Sequence, residues 1–195
     1  ELDAMRRLVE RQSLCREYRG VEKLGKGPIV VCVDESGSMS GEPVCRAKAF
    51  ALAMAWVARH QRRFVCLCSY SGGREGKFLT MPPGKWNQKA LLEWLEGFLG
   101  GGTVLDVPLD VLPDKWESLG CPKGTTDLIL LTDAIVQVPP PLRDSFNTWK
   151  KREQVRCISL VLASSPGQLG EVSEEVHLLH QIDAEDQGIA RCLSL

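Results

Sequence analysis

No apolar run in this chain of 195 residues approaches the roughly 20 that a membrane-crossing helix needs, so no membrane span is expected. No signal peptide is read at its start. An excess of charge is also missing: Lys plus Arg number 24 against Asp plus Glu 25, a net charge of −1. Such balance provides no electrostatic draw toward nucleic acid or an anionic lipid surface. The chain has eight cysteines, yet it lacks the CxxC pairs and Cys/His spacings that would make a zinc site. Cys32, Cys66, Cys68 and Cys157 instead lie inside apolar runs, and Cys45 in a helical stretch, where they act as small hydrophobes. All eight are read as reduced thiols, which suits a cytoplasmic protein. Internal repeats and low-complexity segments are absent.

What is present is an alternation of strand-like and helix-like segments. Residues 1–27 read as a charged, amphipathic helix (1–19) followed by a linker, which is either the tail of an upstream region in a longer protein or a helix packed on the domain edge. From residue 28 to 195 one domain is expected. Its strands are 29–33, 64–69, 77–81, 128–131, 157–163 and 176–179. Helices are expected over 43–60, 88–99, from about 106 or 108 to before 120, over 141–153 and over 184–193. Ala47, Ala51, Ala55 and Ala58 form a stripe narrow enough to lie close on a sheet. The Gly72-Gly73 turn is too short for a crossover, so the third strand must run antiparallel to the second. These features predict a doubly wound α/β fold. Its mostly parallel sheet has six strands in the order 3-2-1-4-5-6, strand 3 antiparallel, with helices on both faces.

The most informative segment is Ile29-Val30-Val31-Cys32-Val33-Asp34-Glu35-Ser36-Gly37-Ser38. A wholly apolar strand runs into an acid, and hydroxyls follow at alternate positions. Asp133 ends another apolar strand in the same way, after Thr132. In a 3-2-1-4-5-6 sheet the first and fourth strands are neighbours, so both acids border the crevice at the switch point. Thr103 follows Gly100-Gly101-Gly102, where backbone can approach a ligand closely. Asp34, Ser36, Ser38, Thr103 and Asp133 thus supply two carboxylates and three hydroxyls, a hard-oxygen set suited to Mg²⁺, with Mn²⁺ also compatible. A carboxylate from a partner protein is the natural further ligand. No nucleophile with a tuned partner is evident, which argues against an enzyme. A metal-dependent phosphoester hydrolase is the alternative; Glu35 and Asp106 are its only nearby acid–base candidates, and the direction of Glu35 stays open.

The segments Asp34-x-Ser36-x-Ser38, Gly101-Gly102-Thr103 and Thr132-Asp133 resemble the three parts of a metal-ion-dependent adhesion site in a von Willebrand factor A (VWA) domain. Val31-Cys32-Val33-Asp34 and Ala47-Lys48-Ala49-Phe50 are most similar to the bacterial ViaA/CoxE-like branch. The resemblance implies a cytoplasmic interaction domain that works with a MoxR-type AAA+ ATPase. It also implies that the five residues hold the metal, some of them through water. One departure stands out: Val104 follows Thr103 where many family members have Asp.

Other features read as structural. The stretch 20–26 mimics a phosphate-binding loop but has Gly27 where Ser or Thr should hold magnesium. His177 and His180 flank a strand, and His60 ends a helix. The five tryptophans read as helix-face core or rim, and Lys150-Lys151-Arg152 as a solvated helix end.

Overall fold

The computed structural model describes residues 26–133, 137–179 and 187–195. The expected helix over 1–19, most of the phosphate-loop mimic and His180 lie outside the described residues. The elements run β1 (Lys26–Asp34), α1 (Glu42–His60), β2 (Val65–Tyr70), β3 (Lys77–Met81) and α2 (Gln88–Glu96). They continue through α3 (Leu112–Lys115), β4 (Thr125–Thr132), α4 (Pro140–Glu153), β5 (Val155–Val161), β6 (Glu175–Leu178) and α5 (Gln187–Leu193).

The sheet order is β3-β2-β1-β4-β5-β6, with only the β2–β3 pair antiparallel. This is the expected topology. β1 sits between β2 and β4 and is covered on both faces, so nothing selects polar residues at alternate positions. Its odd-numbered residues Ile29, Val31 and Val33 pack with α1, α2 and α5. Its even-numbered residues Val30 and Cys32 pack on the opposite face, with residues 105–116 and α4. Ala47, Ala51, Ala55 and Ala58 are fully buried, so α1 lies flush on the sheet. A larger side chain there would overpack, at about 1–3 kcal/mol.

Local chemistry accounts for the departures from expectation. The helix expected over 88–99 stops at Glu96, where Gly97 follows and Lys48 takes the terminal carbonyls. The helix expected near 106–108 is a π turn, Val107–Val111, followed by the single turn of α3. Pro108 and Pro113 each lack the N–H that a regular ladder needs. Trp56 is 61% exposed and lies on the rim of α1 rather than in the core. Its ring and that of Trp86 take the Arg59 guanidinium at 5.2 and 5.0 Å. Lys150 is buried, not solvated, with its ammonium on the Val172 carbonyl and 2.8 Å from Glu174 Oε1. Among the described residues no helix is long and apolar enough to cross a membrane.

The amino-terminal ends of the central strands carry a buried ion cluster. Arg63 Nη2 is 2.6 Å from Asp127 Oδ2 and donates to the Pro28 carbonyl at 3.0 Å, while Arg63 Nε donates to the Gly27 carbonyl at 2.6 Å. Arg156 approaches the other oxygen, Asp127 Oδ1, at 2.5 Å. One acid thus binds the starts of β1, β4 and β5 through two arginines.

Candidate metal centre

At the opposite, carboxyl-terminal end of the sheet the chain sets up a different arrangement. Asp34 ends β1 in register with Tyr70 of β2, and Glu35 N donates to the Tyr70 carbonyl at 2.8 Å. The chain then turns through a short 3-10 segment, Gly37–Met39, anchored by the fully buried Met39. Asp34 Oδ1 accepts the Ser36 amide at 2.9 Å, the turn-closing bond that aspartate makes two residues ahead. Its other oxygen, Oδ2, accepts the Thr132 hydroxyl at 2.5 Å. Ser36 Oγ lies 3.1 Å from Ser38 Oγ, and Ser38 Oγ donates to Asp133 Oδ1 at 3.0 Å. Four of the five expected residues therefore form one continuous polar chain across the ends of β1 and β4.

The loop that carries Thr103 is held against the same turn. Gly37 N donates to the Gly101 carbonyl at 2.8 Å, Gly100 N to the Glu35 carbonyl at 2.9 Å, and Val104 N to the Ser71 carbonyl at 3.2 Å. Gly100 and Gly101 have φ of +68° and +95°, a region that side chains with a Cβ rarely adopt. A Cβ on Gly72 would meet Gly102 N at 2.8 Å, so these two glycines let the loops touch. The Thr103 side chain is half-buried and makes no hydrogen bond to the other four residues.

Asp34 is fully buried, and burial pushes its carboxyl above the ordinary range. The bonds from Thr132 and Ser36 oppose that rise, while the nearby charge of Asp133 adds to it. No lysine, arginine or histidine among the described residues pairs with Asp34 or Asp133. Behind Asp34, Tyr70 is fully buried; burial, and then the Asp34 charge, raise its phenol well above its usual range, and hydrogen bonding with Thr132 opposes that rise. Among the described residues no three His, Cys, Asp or Glu side chains cluster as a metal would require. Any ion here would depend on two carboxylates helped by hydroxyls, a donor set that fits a hard cation.

The structure also resolves the direction of Glu35. Side chains alternate along a strand, so the residue after Asp34 points to the other face, toward α1 and α2. Glu35 is 1% exposed; its Oε1 accepts the Ser69 hydroxyl at 2.5 Å and lies 3.0 Å from Lys48 Nζ. Its Oε2 accepts the Leu99 amide at 3.0 Å. Lys48 Nζ also donates to the carbonyls of Trp94 and Leu95 at 3.1 Å each, and to that of Gly97. Glu35 is fully engaged and is not placed as an acid or base beside Asp34 and Asp133. Lys48 and Thr132 were absent from the expected site. Lys48 did carry a signal, as a lone cation inside the α1 stripe of Val44, Ala47, Ala51 and Ala55.

The sequence matches no protein-family model. It is 26% identical over 195 residues to an uncharacterised protein of Methanocaldococcus jannaschii, covering 98% of this chain and 44% of that one. A second uncharacterised protein of that organism is 28% identical over 190 residues, covering 94% and 46%. The regulatory protein ViaA of Proteus mirabilis is 30% identical over 134 residues, covering 68% of this chain and 26% of ViaA. This chain thus spans less than half the length of these curated relatives. Among solved structures, proximal thread matrix protein 1 from the mussel byssus aligns with a TM-score of 0.61 at 15% identity, over 87% of this chain and 46% of that one. An aerotolerance-related membrane protein of Bacteroides fragilis aligns with a TM-score of 0.55 at 11% identity, over 86% and 98%. At those identities the likeness is one of fold, while the sequence relationship extends to a regulatory protein.

Proposed function

We propose that this chain is a VWA-type interaction domain that binds Mg²⁺, with Mn²⁺ as a substitute, and uses it to capture an acidic side chain of a partner protein. The observation that carries the reading is the polar chain Asp34–Ser36–Ser38–Asp133 at the switch point, two acids that pair with no cationic side chain among the described residues. Asp34, Ser36, Ser38, Thr103 and Asp133 would hold the ion, some of them through water. When bound, the ion supplies a positive centre able to accept one more oxygen ligand. The protein's own part is to orient donors: Thr132 and the Ser36 amide fix the Asp34 carboxylate, and Ser38 fixes Asp133. The relationship to the regulatory protein ViaA supports a regulatory, non-enzymatic role. A cytoplasmic setting and a MoxR-type AAA+ ATPase as partner belong to the same reading, and rest on the resemblance of the motifs. The hydrolase alternative loses one of its two acid–base candidates, because Glu35 is held by Lys48, Ser69 and Leu99.

Calorimetric titration with Mg²⁺ tests the reading. Binding by the unaltered protein that is lost in Asp34→Asn is expected. Absence of binding, or binding unchanged by that substitution, would overturn the site. Phosphoester hydrolysis that requires Mg²⁺ and disappears in Asp34→Asn would replace the interaction reading with the enzymatic one.

A further inference from the structure

Resting on the metal reading above, we infer that the buried Glu35–Lys48 ion pair is a positioning device. It sets the loop that carries Thr103 and thereby tunes metal affinity, without touching the ion. Glu35 is the chain neighbour of Asp34, and its side chain leaves on the opposite face of the sheet. There it binds Ser69 of β2, Lys48 of α1 and the Leu99 amide. Lys48 in turn takes the last carbonyls of α2, those of Trp94 and Leu95, and that of Gly97. A cation at a helix C-terminus is favoured by the helix dipole and by the orphan carbonyls there. The ammonium also lies 5.3 Å from the centre of the Trp94 ring.

The pair therefore grips both ends of the short stretch from the end of α2 to Leu99. Beyond it, Gly100 and Gly101 have positive φ. The backbone bonds of Gly100 N to the Glu35 carbonyl and of Gly37 N to the Gly101 carbonyl guide the chain onward to Thr103, and that of Val104 N to the Ser71 carbonyl holds it just past that residue. Solvent does not compete for the pair, since both side chains are almost wholly buried. Its desolvation is costly, and an apolar pair of similar volume would stabilise the fold about as well. An ion pair at this point is intelligible if what matters is directional bonding to a particular set of carbonyls and one amide. Groups that orient metal ligands from behind typically account for about 10–100-fold in affinity.

The test separates position from stability. Lys48→Met should weaken Mg²⁺ binding about ten-fold or more by calorimetry. It should also speed hydrogen exchange at the Leu99 and Gly100 amides beyond any change in global unfolding. The double variant Glu35→Leu with Lys48→Met should recover thermal stability while Mg²⁺ affinity stays low. It carries the test if the single variant fails to fold. Affinity that recovers together with stability in the double variant, or that is unchanged in Lys48→Met, would overturn the inference and leave the metal reading standing. Failure of the unaltered protein to bind Mg²⁺ would overturn both.

Discussion

The two ends of β4 hold acids of the same type in opposite circumstances. Asp127, near the start, is neutralised by Arg63 on one oxygen and Arg156 on the other. Asp133, just past the end, meets Ser38, and among the described residues no cationic side chain pairs with it or with Asp34. Burial of a carboxylate is expensive unless it is paired. The first end meets that cost with the protein's own cations and so contributes to holding the strands together. The second end meets it with hydroxyls and an amide, which ease the cost but do not cancel the charge. The proposed cation seat at the second end rests on that difference, while the first end is structural.

The comparison can be broken at either end. The largest effect is expected from Asp127→Ala, which strands a buried Arg63; it should cost about 3–5 kcal/mol in urea unfolding and leave any Mg²⁺-induced stabilisation intact. Removing Mg²⁺ with EDTA should come next. At metal concentrations near 100 times Kd the ion stabilises the fold by about 2.7 kcal/mol, read as a drop in melting temperature on chelation. Asp34→Asn should abolish that drop. Asp133→Ala, at a half-buried strand end, should cost about 0.5–1.5 kcal/mol of stability yet weaken capture of the partner at least about ten-fold in a pull-down with and without EDTA. The smallest effect is expected from Val104→Asp. This side chain is 37% exposed, so stability should stay within about 0.5 kcal/mol. The added acid should tighten Mg²⁺ binding in the same calorimetric titration. A loss of the EDTA response in Asp127→Ala, or its survival in Asp34→Asn, would erase the distinction between the two ends.

Much of the site was legible because its parts are local. Asp34, Ser36 and Ser38 lie within one turn, and an acid after an apolar strand has only one end of the sheet to occupy. The direction of Glu35 stayed open in the sequence, because its partners Lys48, Ser69 and Leu99 lie elsewhere in the chain. Lys48 was visible as an oddity in an alanine stripe, but not as a cap for a helix 46 residues away. The Arg63–Asp127 pair spans 64 positions and leaves no spacing rule to read. Lys150 shows the same limit: a run of three cations at a helix end looks solvated until the Val172 carbonyl and Glu174 are brought against it.

Strand and helix types, the order of the sheet and the inventory of hard oxygens follow from the amino-acid sequence itself, because period, turn length and handedness act over a few neighbouring residues. Which acids the protein's own cations neutralise was decided only in three dimensions. That outcome depends on contacts of about 3 Å between side chains far apart in the chain, and such contacts exist only once register and packing are set.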